Sequence, residues 1–169
     1  MPFLGSFILQ EKSEKTYWVI DGQQRITTLS VFIRAFLDQK KYPLINQVIT
    51  KLEGMIYRIE LIDGDNVSYK SRLIPSNADS EPFEKVMVTD KSDVTIEKGN
   101  TNIEDCYLYF LEYINKMSQD EFRALTNKLI TTSKYVIAIT LDSKDDEQGI
   151  FDTVNSLGKR LTNSDIVKN

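Results

Sequence analysis

Residues 17–29, YWVIDGQQRITTL, change their hydrophobic period part-way along, and that change constrains the chain more than any other feature. Tyr17, Trp18, Val19 and Ile20 are aromatic or β-branched and predict a buried strand. Asp21-Gly22 is a turn dipeptide, because glycine accepts positive φ without steric cost. From Ile26 onward, Ile26, Leu29, Phe32, Ile33, Phe36 and Leu37 recur at three- and four-residue steps, one face of an amphipathic helix. The segment therefore reads as strand, tight polar turn, helix.

That order has a chemical consequence. A helix start carries N–H groups without intrahelical partners and the positive end of the macrodipole, so an anion is stabilised there. Arg25 adds a charged fork that matches phosphate oxygens. Gln23 and Gln24 can each donate and accept, which suits a base edge, a ribose or an attacking water. A plain solvated turn explains the same local pattern equally well.

A second stretch, residues 150–169 (IFDTVNSLGKRLTNSDIVKN), contains Phe151, Asn155, Gly158, Leu161 and Asp165. Locally, Asn155 and Gly158 read as a helix stop, and Thr162-x-x-Asp165 as a helix start. Together the DGQQR string and this second motif resemble the N-terminal domain of the GmrSD-type restriction endonucleases, a family grouped with the ParB/sulfiredoxin-like fold. The resemblance implies an α+β fold: a small mixed sheet of ParB/sulfiredoxin-like type with an added helical subdomain at about residues 75–133. It treats residues 1–169 as a single domain fragment, truncated at both ends relative to the family.

By analogy with the proteins that name that fold, the resemblance also implies a nucleoside triphosphate and Mg²⁺. Gly22, Gln23, Gln24, Arg25, Thr27 and Thr28 would hold the nucleotide, joined by Asn155 and Lys159 from the second motif. Asp21, Gln24 and Arg25 would be the catalytic set of a Mg²⁺-dependent NTPase, and Asp21 with Asp165 would hold the metal. The function expected is a nucleotide-binding, NTP-hydrolysing regulatory domain of a modification-dependent restriction protein active in phage defence. DNA would be engaged through the full-length protein, with a C-terminal HNH-type nuclease domain or subunit as partner. The alternative is a DNA-recognition module without hydrolysis, in which Arg25, Arg58, Arg72, Lys159 and Arg160 contact phosphates.

Composition narrows the choices. The chain has no histidine, so it cannot itself assemble an HNH centre, a Ser-His-Asp triad or a His-based zinc site. Net charge is −4, which disfavours a strong DNA clamp, although residues 1–60 hold eight Lys/Arg against six Asp/Glu. One cysteine, Cys106, excludes an internal disulfide, fits a reducing cytoplasm and reads as a structural thiol. No apolar run reaches the roughly 20 residues of a membrane helix.

Along the rest of the chain, residues 3–10 predict a strand and 11–15 its turn. Pro43 is expected to open a helix ending at Glu53-Gly54. Residues 55–61 and 67–74 flank Asp63-Gly64-Asp65-Asn66, a hairpin signal that lines up Arg58, Lys70 and Arg72. Residues 75–82 read as a connection, with Asp79 or Ser80 capping a helix at Phe83. Residues 90–100 read as an exposed loop. Thr101-x-x-Glu104 and Ser118-x-x-Glu121 are capping boxes for two helices whose aromatic stripe (Tyr107, Tyr109, Phe110, Tyr113) is expected in the core. Residues 134–141 predict a second apolar strand, central in the sheet like the Tyr17 strand. Asp145, Asp146 and Glu147 are expected at a helix start.

Overall fold

The structure is a computed structural model and describes residues 5–63, 66–75, 77–89, 91, 94–131, 137–141 and 149. The second motif, including Asn155, Lys159, Arg160 and Asp165, lies outside these residues, as do Asp145, Asp146 and Glu147. Among the described residues the fold is α+β, with five helices, a mixed three-stranded sheet and a two-stranded hairpin. The chain divides into two compact units, Met1–Gln23 with Lys134–Asn169, and Gln24–Ser133.

In the first unit, β1 (Ser6–Ser13) lies between β2 (Thr16–Asp21) and β5 (Ile137–Leu141). β1 pairs antiparallel with β2, from Glu11↔Tyr17 to Ile8↔Asp21, and parallel with β5. The turn is Glu14-Lys15, with Lys15 at φ 59°, so β1 runs three residues past its expected end at Gln10. The expectation that the Tyr17 strand and residues 134–141 are central is corrected, because among the described strands both are edges. Tyr17 and Trp18 are 43% and 54% exposed, and Lys12 sits 4.0 Å over the Trp18 ring. Apolar, β-branched composition favours a strand but does not say which strand takes the middle. Phe7, Ile8 and Gln10 of the central β1 are buried instead.

The second unit is built on α1 (Gln23–Asp38), whose stripe buries Val31, Ala35 and Phe36 as its period predicts. α2 (Asn46–Ile56) contributes Val48, Leu52 and Ile56. It starts three residues after Pro43 and continues through Gly54, both departures from expectation. Ile56 and Tyr57 are buried, and that packing outweighs the weak helix preference of glycine. The hairpin forms as expected from β3 (Tyr57–Asp63) and β4 (Asn66–Ser71), with Asp63 opposite Asn66.

α3 (Asn77–Met87) begins before Asp79 and Ser80, which lie inside it rather than capping it, and it contains Pro82. Pro82 has no N–H to give, and the buried Phe83, Val86 and Met87 hold the helix regardless. α4 (Asn102–Lys116) and α5 (Gln119–Thr131) start at the two capping boxes. Thr101 Oγ1 accepts from the Glu104 N–H at 3.2 Å. Ser118 and Glu121 exchange both bonds of their box, at 2.8 and 3.3 Å.

The aromatic stripe of α4 is only partly core. Tyr107 is buried and Phe110 packs 5.1 Å from Phe32, whereas Tyr109 and Tyr113 stack on each other at the surface. Phe36 stacks on Phe122 at 4.9 Å, which joins α1 to α5. Cys106 is half-buried, and that burial pushes its thiol pKa up and disfavours the reactive thiolate.

A buried polar network runs through this unit. Arg34, only 6% exposed, donates from Nε to Asp38 Oδ2 at 2.8 Å, and its Nη2 pairs with the other carboxylate oxygen. Arg34 Nη1 also donates to Tyr57 Oη at 3.2 Å, and Tyr57 donates to the Met87 carbonyl. Tyr107 donates to Asp38 at 2.9 Å. Lys91 Nζ lies 3.6 Å from Asp38, donates to the Val86 carbonyl at 2.5 Å and sits 5.1 Å over the Tyr107 ring. Burial, with the Arg34 charge added, pulls the Lys91 ammonium down to about 8.

Two predictions follow from this packing. At Gly54 an added Cβ meets nothing within 4 Å, so Gly54→Ala should stabilise the protein by about 0.5–1 kcal/mol in urea denaturation. Lys91 releases its proton near pH 8 in the fold, against 10.5 for a free lysine. Between those values the unfolded chain holds the extra proton, so this group makes stability rise with pH. Below them both states are charged and the burial cost is present in full. The stability of the wild type relative to Lys91→Met should therefore increase between about pH 7 and about pH 9.5. That window avoids the opposing titration of Tyr57 and Tyr107, whose pKa values burial raises above 10.0.

Candidate functional site

β2 ends at Asp21, opposite Ile8 of β1, and α1 begins two residues later at Gln23. Gly22 between them is buried and adopts φ 95°. A Cβ at this position would stand 2.3 Å from Phe7 Cδ1, inside any tolerable contact. Glycine is thus required twice, for its backbone conformation and for the space that the buried Phe7 ring occupies. With hydrogen as its side chain, Gly22 also offers no oxygen to cap α1. No acidic residue sits in the first turn of α1. The leading N–H groups therefore face no internal carboxylate from their own helix, the local arrangement that favours an external anion.

The side chains around this turn differ in what remains available. Gln23 Nε2 donates back to the Val19 carbonyl at 2.9 Å, tying the helix start to the strand before it. Gln24 is exposed, while Asp21, Arg25 and Thr27 are half-buried. Thr28 Oγ1 donates to the Gln24 carbonyl at 2.7 Å, and Ser30 Oγ donates likewise to Ile26 at 2.9 Å. The Thr28 proton is therefore committed and only its lone pairs remain, while Asp21, Gly22, Gln23, Gln24, Arg25, Thr27 and Thr28 all lie along the strand end and the first turns of α1. Asn155, Lys159 and Asp165 are outside the described residues, as noted. Among the described residues no group of three or more His, Cys, Asp or Glu side chains gathers as a metal cage.

The family model for the GmrSD restriction endonuclease N-terminal domain matches residues 2–169. The chain belongs to that family. Comparison with curated proteins gives no match. Membership makes the chain a component of a restriction system and implies a nuclease region elsewhere in that system. Among the described residues no helix is long and apolar enough to cross a membrane.

The strip on the GmrSD domain's hairpin is less available than its sequence suggests. Arg58 and Lys70 do face each other across β3 and β4. Lys70, however, pairs with Glu60 at 3.3 Å, and Arg72 Nε donates to the Gly54 carbonyl at 3.0 Å.

Sequence reasoning missed the Arg34 network. An arginine and an aspartate four residues apart inside an apolar stripe were its available signal, since such a pair can meet on one helix face. It also missed Glu104 as a buried charge, fully covered and bonded to Lys85 at 2.5 Å and Asn100 at 2.6 Å. The Lys85 ammonium, ahead of the Thr101 and Asn100 bonds, holds the Glu104 carboxyl below its ordinary range despite burial. Gly22→Ala should destabilise the fold by about 1–3 kcal/mol through backbone strain and overpacking against Phe7, measured by urea denaturation.

Proposed function

We propose that this domain is the nucleotide-binding, NTP-hydrolysing regulatory domain of a modification-dependent restriction protein, with the ligand held at the turn between β2 and α1. The observation that carries the reading is the helix start itself: a glycine without a capping group, no carboxylate in the first turn, and Arg25 two residues inside. Family membership supports the setting, since a restriction system must govern when its nuclease acts.

In this reading the N–H groups of Gln23 to Ile26 and the Arg25 guanidinium bind phosphate oxygens. Thr27 is the hydroxyl donor, because the Thr28 proton already goes to Gln24. The exposed Gln24 carboxamide orients the attacking water. Asp21 would be a ligand for Mg²⁺, an ion that takes its remaining ligands from phosphates and water. When bound, Mg²⁺ neutralises phosphate charge and favours transfer to water. Asn155, Lys159 and Asp165 join the site by their place in the family motif, and DNA is engaged through the full-length protein.

Calorimetric titration of the chain with ATP and with GTP, each with Mg²⁺, tests the proposal. At least one should bind, and Arg25→Ala should weaken it by about 10- to 100-fold, as loss of charge-assisted bonds requires. Equal affinity in the variant would overturn the assignment.

A further inference from the structure

A cleft of about 580 Å³ opens in the helical unit beside the segment joining α1 to α2. Tyr42, Leu44 and Val48 line it together with Phe122 and Ile130 of α5. The Tyr42 and Phe122 rings lie 4.7 Å apart and make an aromatic wall. Arg123, Gln119 and Asn127 supply the polar part of the lining.

The charge of this cleft has one sign. Arg123 is its one charged lining residue; it is exposed and forms no ion pair among the described residues. On the same helix Asp120 stands three residues before Arg123 without forming an ion pair with it, and the Glu121 carboxylate accepts from the Ser118 N–H and Oγ. Two further lysines near the cleft are committed to backbone: Lys41 Nζ to the Asn115 and Met117 carbonyls, and Lys51 Nζ to the Ile130 carbonyl. An unanswered guanidinium beside a concave apolar and aromatic wall fits a ligand with complementary halves.

We propose that this cleft binds a small organic anion, with an aromatic or apolar body against Tyr42 and Phe122 and its acidic group on Arg123. The volume is that of a small-molecule site, which fall roughly between 300 and 1,000 Å³. The Arg123 side chain can give two parallel N–H bonds to a carboxylate, sulfonate or phosphate, whereas a neutral ligand of the same shape would leave it with water.

Two probes of similar shape test this: anilinonaphthalene sulfonate and uncharged phenylnaphthylamine, titrated into the folded chain and followed by fluorescence. The sulfonate should bind at one saturable site, about tenfold more tightly than the neutral probe, as one charge-assisted contact implies. Arg123→Gln should remove that preference while leaving the neutral probe unchanged. Asn127→Trp, which fills the mouth, should weaken both, and amide resonances of Val48, Phe122 and Asn127 should shift on titration. Equal affinity for the two probes, or a preference that survives Arg123→Gln, would overturn the proposal. So would a dimer in sedimentation velocity that Ile45→Asp dissolves, since the cleft would then belong to a second copy of the chain.

Discussion

The helical unit depends on one ion pair, Arg34 with Asp38, set in the buried stripe of α1. Neither charge is affordable alone in that environment, because removing either partner leaves an uncompensated buried ion at a cost of about 3–5 kcal/mol. The pair survives because both partners also bond outward to other elements. Arg34 reaches Tyr57 at the head of β3, Tyr57 reaches the end of α3, and Asp38 accepts from Tyr107 of α4. Four elements are thereby fixed in direction as well as in contact, which apolar packing alone does not ensure.

The same helix links this core to the candidate site by chain connectivity. Its C-terminal half carries the ion pair, and its first turn carries Arg25 and no acidic residue. A helix pinned by Phe36, Arg34 and Asp38 presents its first turn in a set orientation, which a loop-borne arginine would not have. At the other side of the turn, the Phe7 ring occupies the space that any side chain at position 22 would need. The conformation of the turn therefore rests on the Phe7 packing at Gly22, and that of α1 on a buried ion pair further along the helix.

Local features were legible in the sequence because their causes are local. The α1 stripe, both capping boxes and the pairing of the hairpin strands follow from spacing of three, four or two residues, and each forms where its residues stand. Gly54, a weak breaker, and Pro82, a strong one, misled because buried neighbours outweigh both. The exposed Tyr17 and Trp18 misled for a different reason. Which of several apolar strands takes the middle depends on pairing partners more than a hundred residues away, Ile137–Leu141 with Ser6–Gln10. At the site, the Asp-Gly turn was readable from the DGQQR string, but the Phe7 contact that makes Gly22 obligatory was not, since it arises only when β1 and β2 pair.

The distribution of positive charge favours a discrete anion over a polyanion on the described surface. Three lysines close the ends of helices: Lys91 bonds a carbonyl near the end of α3, Lys41 those ending α4, and Lys51 one at the end of α5. These carbonyls would otherwise lack partners, and each ammonium also meets the negative end of a macrodipole. Lys70, Lys85 and Lys116 pair with carboxylates. A duplex needs several uncommitted cations in a row so that enough counterions are released. A triphosphate needs only a few N–H groups and one guanidinium brought to a single point, and that smaller requirement is the one the proposed site at the Gly22 turn would have to meet.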